Sequence, residues 1–166
     1  SFTGLRIAVA TVKGLAAVLG NKVVGVPTMD AIVMNLPPGE KRVAPFLDAR
    51  KGKVYTCIYD LTRPEAKKLT DYLLVRADEF LESLDREVLF FGDAVTKYKD
   101  ELENCSLARY DEKMDWYPRA ENIGRIGYEK ALTATDDPGD IDPLYLHAKE
   151  ASITNNATRK KPPNNG

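Results

Sequence analysis

The chain has 166 residues, 43% of them hydrophobic, enough for one domain or one domain plus part of another. Its 24 Lys+Arg against 25 Asp+Glu leave a net charge of −1, which argues against a stand-alone electrostatic reader of nucleic acid but not against a subunit that helps another protein bind RNA. The opening has no charged n-region and no cleavage site of a signal peptide. Arg6, Lys13 and Lys22 interrupt the one apolar run that approaches the length of a bilayer span. Cys57 and Cys105 lie in strand-like apolar runs and read as reduced core residues of a cytoplasmic protein. Asn156-Ala157-Thr158 has the form of a glycosylation sequon, without meaning in that compartment.

Residues 4–20 predict a helix stopped by Gly20-Asn21. At about 100° per residue, Arg6 and Lys13 fall together with Thr3, Ala10, Ala17 and Gly20 near them. The rest is small or apolar over roughly 220°, about twice what one core requires. Two seams divide that excess. Leu5, Val9, Val12, Ala16 and Leu19 are bulky and suit the protein's own sheet. Gly4, Ile7, Thr11, Gly14 and Val18 are smaller and allow close approach of a second helix.

Residues 22–27 predict a short buried strand ended by Pro27, and Thr28 is placed to cap the helix at 29–35. "LPPGE" at 36–40 breaks it and marks a boundary between subdomains. Residues 42–49 and 53–60 predict a hairpin around Arg50-Lys51-Gly52, with Gly52 supplying a positive φ. A strand follows at 71–76, a helix at 77–84, a strand at 87–92, a helix at 94–102, a strand at 105–110 and a helix at 119–134 introduced by Pro118. Residues 141–147 predict a short extended piece, and the tail from about 151 is polar and expected to be disordered. The pattern is α/β, a mixed sheet with flanking helices.

Catalytic chemistry is hard to find. "SFTG" at a helix start could cradle a phosphate, but no GxGxxG or GxxxxGK[ST] surrounds it, and an ordinary capped helix start is the better reading. In "LDARKGKVY" (47–55), Asp48 could hold a metal or a hydroxyl while Arg50, Lys51 and Lys53 face a phosphate; the plainer reading is a polar hairpin turn. One histidine, His147, and two separated cysteines cannot build a zinc site, and there is no HExxH, CxxC or G-x-S-x-G. Asp93 in "FFGDA" reads as a helix cap. No catalytic, cofactor-binding or metal residues are assigned.

Taken together, "SFTGLRIAVATVKGLA", "GVPTMDAI", "LDARKGKVY", "FFGDA", "YPRAENIGRIGYE" and "DPLYLHAKEA" resemble, in order, the TsaB (YeaZ) family over residues 1 to about 150. The first of these resembles the helix after that family's GPG turn. His147 stands where the family has the Arg of YLR, and Lys53 where it has an acidic residue in the hairpin.

The resemblance implies an actin-like (ASKHA, RNase H-like) fold that is N-terminally truncated. Residues 1–36 would be a remnant of the first subdomain and 41–150 the second. It also implies a non-catalytic scaffold supporting a TsaD-like catalytic subunit in N6-threonylcarbamoyladenosine modification of tRNA beside the anticodon. A TsaE-like ATPase is a third component, homodimers form, tRNA is met only through the complex and no membrane is involved, and ATP and metal belong to the partner subunits. The catalytic relative carries two metal-binding histidines spaced i, i+4; the matching positions here are Thr28 and Ile32, and neither ligates a transition metal as histidine does. The seam Gly4, Ile7, Thr11, Gly14 and Val18 would then face the partner or a second copy, unless an N-terminal helix of the same fold covers it. Asp48 and Arg50 would be structural. The rival is an ASKHA-type small-molecule kinase or hydrolase with its phosphate site in the N-terminal part.

Overall fold

A computed structural model of the protein describes residues 2–63, 65–133 and 141–146. His147, the sequon and the tail lie outside these residues. Two compact units are present.

The first unit comprises residues 1–36 and 115–146. It opens with α1, Phe2–Leu19. Gly20 follows in the left-handed region (φ 66°), and the Asn21 N–H returns to the Ala16 carbonyl at 3.2 Å, so the expected stop signal works as a C-terminal cap. Residues 22–27 form no strand, because no neighbouring strand is present in this unit among the described residues to complete a ladder.

Helix α2, Thr28–Val33, starts with Pro27 rather than Thr28 at the cap position, and no side-chain cap bond is made. Helix α6, Ala120–Ala131, joins it. Asn122 Nδ2 donates to Asn35 Oδ1 at 2.7 Å and to the Ala31 carbonyl at 3.2 Å; Asn35 Nδ2 donates to the carbonyls of Asp115 and Tyr117. These amides tie residues 115–131 to the first unit, whereas the resemblance assigns them to the second subdomain. Gly127 of α6 lies beside the Val24 and Val26 side chains.

The second unit, 37–114 among the described residues, holds a seven-stranded mixed sheet. Its elements are β1 (Val43–Arg50), β2 (Lys53–Thr56), β3 (Tyr59–Asp60), β4 (Lys67–Lys68), β5 (Leu73–Arg76), α3 (Ala77–Glu82), β6 (Val88–Phe91), α4 (Ala94–Lys97), α5 (Lys99–Asn104) and β7 (Ala108–Tyr110). Strand β1 is the hinge of the sheet. Its first half pairs parallel with β6 and antiparallel with β3, and its second half pairs antiparallel with β2, which pairs with β5. The predicted second strand ends early, at Thr56, because Cys57 and Ile58 turn the chain from one partner to another; the Ile58 N–H is taken by Thr70 Oγ1 at 3.0 Å. The predicted helix 94–102 is broken at Tyr98, whose φ of −111° is not helical. Both thiols are free, Cys57 buried beyond the end of β2 and Cys105 at the end of α5 rather than within a strand.

The core lies between this sheet and α3–α5. Phe46, Phe90, Phe80 and Tyr98 meet edge to face, Phe46–Phe90 at 5.1 Å between centroids. The turn from β6 into α4 is fixed by Gly92 (φ 129°), where a Cβ would stand 2.4 Å from the Phe46 carbonyl oxygen.

Candidate functional site

Helix α1 is apolar yet almost uncovered: of its 18 residues only Ala16 is buried. The two seams read from the sequence do not divide as expected. Leu5, Val12 and Leu19, assigned to the protein's own sheet, are exposed, because the first unit has no strand among its described residues. The shaded positions are Val9, Lys13 and Ala16. This side faces residues 141–146, with Lys13 Nζ 3.3 Å from Asp142 Oδ1 and the Phe2 ring 5.1 Å from that of Tyr145.

The smaller seam, Gly4, Ile7, Thr11, Gly14 and Val18, is exposed along its length, Ile7 at 62% and Val18 at 85%. Nothing lies within 4 Å of a Cβ built on Gly14. The Thr11 hydroxyl donates back to the Ile7 carbonyl at 2.9 Å, so the one polar side chain of the seam is satisfied within the helix. A second helix could therefore approach here without desolvating an unpaired donor. By length and composition alone α1 could also cross a bilayer, since only Arg6 and Lys13 of the three interrupting cations fall inside it. The core helix of a soluble protein and a signal sequence near the N-terminus pass the same test, so the span does not follow from it.

Asp48 and Arg50 sit at the end of the β1–β2 hairpin. Asp48 Oδ1 accepts the Arg50 N–H at 3.0 Å and the Lys97 ammonium at 2.8 Å, and Asp93 Oδ1 accepts the Asp48 N–H at 2.9 Å. Asp93 thus braces the hairpin and makes no cap bond to α4, contrary to the sequence reading. The hydrogen bond from Lys97 holds the Asp48 carboxyl below the usual carboxylate range and raises Lys97 in turn. Arg50, Lys51 and Gly52 are all left-handed, with φ of 65°, 51° and 76°.

Thr28 and Ile32 lie one turn apart on α2. Ile32 is 1% exposed and belongs to the core. No group of three or more His, Cys, Asp or Glu side chains suited to a metal is found among the described residues. The Asn35–Asn122 pair escaped the sequence reading, since two asparagines 87 residues apart carry no local signal.

A sequence model of the TsaD family, described as tRNA N6-adenosine threonylcarbamoyltransferase, matches residues 1–153. The tRNA threonylcarbamoyladenosine biosynthesis protein TsaB of Bacillus subtilis (strain 168) is 30% identical over 156 residues, covering 91% of this chain and 67% of that protein. Among solved structures, YeaZ from Pseudomonas aeruginosa superposes with a TM-score of 0.70 at 24% identity, over 88% of this chain and 69% of that one. A P. aeruginosa protein described as uncharacterized, with similarity to peptidase YEAZ, gives 0.69 at 24% identity, over 89% and 69%. The chain therefore spans about two thirds of the length of these relatives.

Proposed function

The chain belongs to the TsaB (YeaZ) family, with its actin-like α/β fold and its role in tRNA threonylcarbamoyladenosine biosynthesis, and we propose that it serves there as a non-catalytic scaffold for a TsaD-type subunit. The observation that carries the scaffold role is α1, an 18-residue apolar helix with one buried residue. The seam Gly4, Ile7, Thr11, Gly14 and Val18 is its contact surface. The occupant assigned to it is a TsaD-type chain, the partner implied by the resemblance to a TsaB protein of tRNA threonylcarbamoyladenosine biosynthesis. A second copy of this chain is the competing occupant.

The non-catalytic assignment is supported by the α2 positions. Thr28 offers a hydroxyl and Ile32 a buried alkyl group where a transition-metal site needs imidazole. ATP and metal are then bound on the partner subunits, a TsaE-like ATPase among them, and the assembly works in the cytoplasm. Asp48 and Arg50 serve the fold of the hairpin, Arg50 through its backbone N–H. Nothing observed favours a kinase or hydrolase.

Reconstitution tests the reading. The full-length protein alone should form no modified adenosine, and adding it to a TsaD-type subunit and the ATPase should raise product formation. Stoichiometric metal on the isolated protein, lost on substituting residues 28–32, would contradict it.

A further inference from the structure

The outer face of the β1–β2–β5 sheet carries a feature that the scaffold role leaves unused. Directly opposed residues of neighbouring strands project to the same side. Register pairs Arg50 with Lys53 and Lys53 with Arg76, so three cations form one row across three strands. The next row on that face is Leu47, Tyr55 and Leu74, with the Tyr55 ring 39% exposed.

Two features of this row cost stability. Like charges directly opposite one another destabilise a sheet. The two-residue turn Lys51-Gly52 has positive φ at both positions, the type I′ geometry that favours Asn, Asp or Gly at its first position. Here a lysine occupies that position, and Arg50 before it is left-handed as well. Arg76 is held by Asp78 and Glu79, and Lys97 by Asp48, whose carboxylate also feels the Arg50 charge; Arg50, Lys51 and Lys53 make no direct ion pair among the described residues. The tip is nevertheless rigid. The Ala77 N–H donates to the Gly52 carbonyl at 3.1 Å, and Asp48 fixes the Arg50 N–H. Strain of this kind persists where the surroundings over-determine it, and it clusters at ligand clamps.

We propose that this face is an RNA-docking surface, in which Arg50, Lys51 and Lys53 contact backbone phosphates and Tyr55 stacks on an unpaired base. An anion would relieve the like-charge row, and an aromatic ring beside cations on an open sheet suits a single-stranded RNA segment. The proposal rests on the role in tRNA modification for its ligand; the face shares no residue with the α1 seam.

The test is fluorescence anisotropy of a labelled tRNA titrated with the full-length protein in complex with its TsaD-type subunit, from 50 to 200 mM salt. The variants are Arg50→Asn, Lys51→Gly, Lys53→Glu and Tyr55→Leu. Each cation variant is expected to weaken binding several-fold and to lower the slope of log affinity against log salt by about 0.7–0.9 for every phosphate it no longer neutralises. Tyr55→Leu should weaken binding with the slope unchanged. Lys51→Gly and Arg50→Asn, which relieve backbone strain, should melt no lower than the parent, so weakened binding is not a failure to fold. Unchanged affinity and slope in assembled complexes would overturn the proposal. Loss of subunit assembly in the cation variants would overturn it in favour of a protein contact. Assembly is read separately by sedimentation; if the parent does not assemble, the same titration on the full-length protein alone at 50 mM salt decides the RNA question independently of α1.

Discussion

Lys97 Nζ lies 2.8 Å from Asp48 Oδ1, and that same oxygen holds the Arg50 N–H, so one carboxylate oxygen joins helix α4 to the strained hairpin. The pair is partly exposed, which keeps its own contribution at about 0–1 kcal/mol. Asp48→Ala also strips the acceptor from the Arg50 N–H. The expected loss is about 1–2 kcal/mol by denaturant titration, with activity in a reconstituted modification assay falling only as far as stability does. A large rate loss in a well-folded Asp48→Ala protein would give Asp48 a direct part in the chemistry.

The pH dependence follows from the same bonds. Asp48, Asp78 and Asp115 are held below the ordinary carboxylate value by hydrogen bonds from Lys97, Arg76 and Arg119 respectively. A depressed carboxylate contributes stability that is present above its unfolded pKa, about 3.9, and is lost as pH falls through its folded one. Lys97 and Lys99 are raised by Asp48 and Glu112, so their contribution holds below about 10.4 and is lost as pH rises through the folded value. Unfolding midpoints should therefore be flat from about pH 5 to 9 and fall outside that window. Asp48→Asn should flatten part of the acid limb.

Gly92 is predicted to be the least replaceable glycine of the second unit. A Cβ there would lie 2.4 Å from backbone oxygen, at a φ of 129° that L-residues rarely adopt. Gly92→Ala should cost about 3 kcal/mol or more, lowering the melting temperature by roughly 10 °C. A melting temperature within 2–3 °C of the parent, which is about 1 kcal/mol, would show that the β6–α4 turn relaxes.

The two asparagines of the first unit give a complementary prediction. Asn122→Ala removes the donor to the Asn35 and Ala31 oxygens and should destabilise the joining of α6 to α2 by about 1–3 kcal/mol. Hydrogen exchange should rise at the amides of α6 before those of β1 or β6.

How much of this was legible in the sequence differs between the units. In the second, strand composition and turn chemistry agree with the fold: the continuous apolar run at 88–91 is a strand buried on both faces, and the hairpin about Gly52 and the turn at Gly92 stand where positive φ is required. The two-residue strands β3 and β4 were missed as separate elements, because Tyr59–Asp60 and Lys67–Lys68 are too short for a period. In the first unit, local pattern misled. "KVVGVP" has the composition of a strand and no partner to pair with among the described residues, and α1 was divided into seams as though a sheet lay beneath it. The partner-facing seam rested on side-chain size alone; its exposure and the internally bonded Thr11 hydroxyl are visible only in three dimensions. The like-charge row was invisible too, since Arg50 and Lys53 face Arg76 through register and not through sequence spacing.

The central claim is that α1 is where this protein meets a TsaD-type subunit, and Thr11→Arg in the full-length protein tests it most directly. An arginine at Thr11 cannot enter a close helix–helix contact but is accommodated in solvent, where Thr11 now stands. Sedimentation of the variant mixed with the TsaD-type subunit should show two separate species, with the far-UV dichroism of the parent retained and modification activity abolished. A variant that still co-sediments with the subunit and supports modification would show that the seam is not the interface. A variant that unfolds would place the seam in the protein's own core.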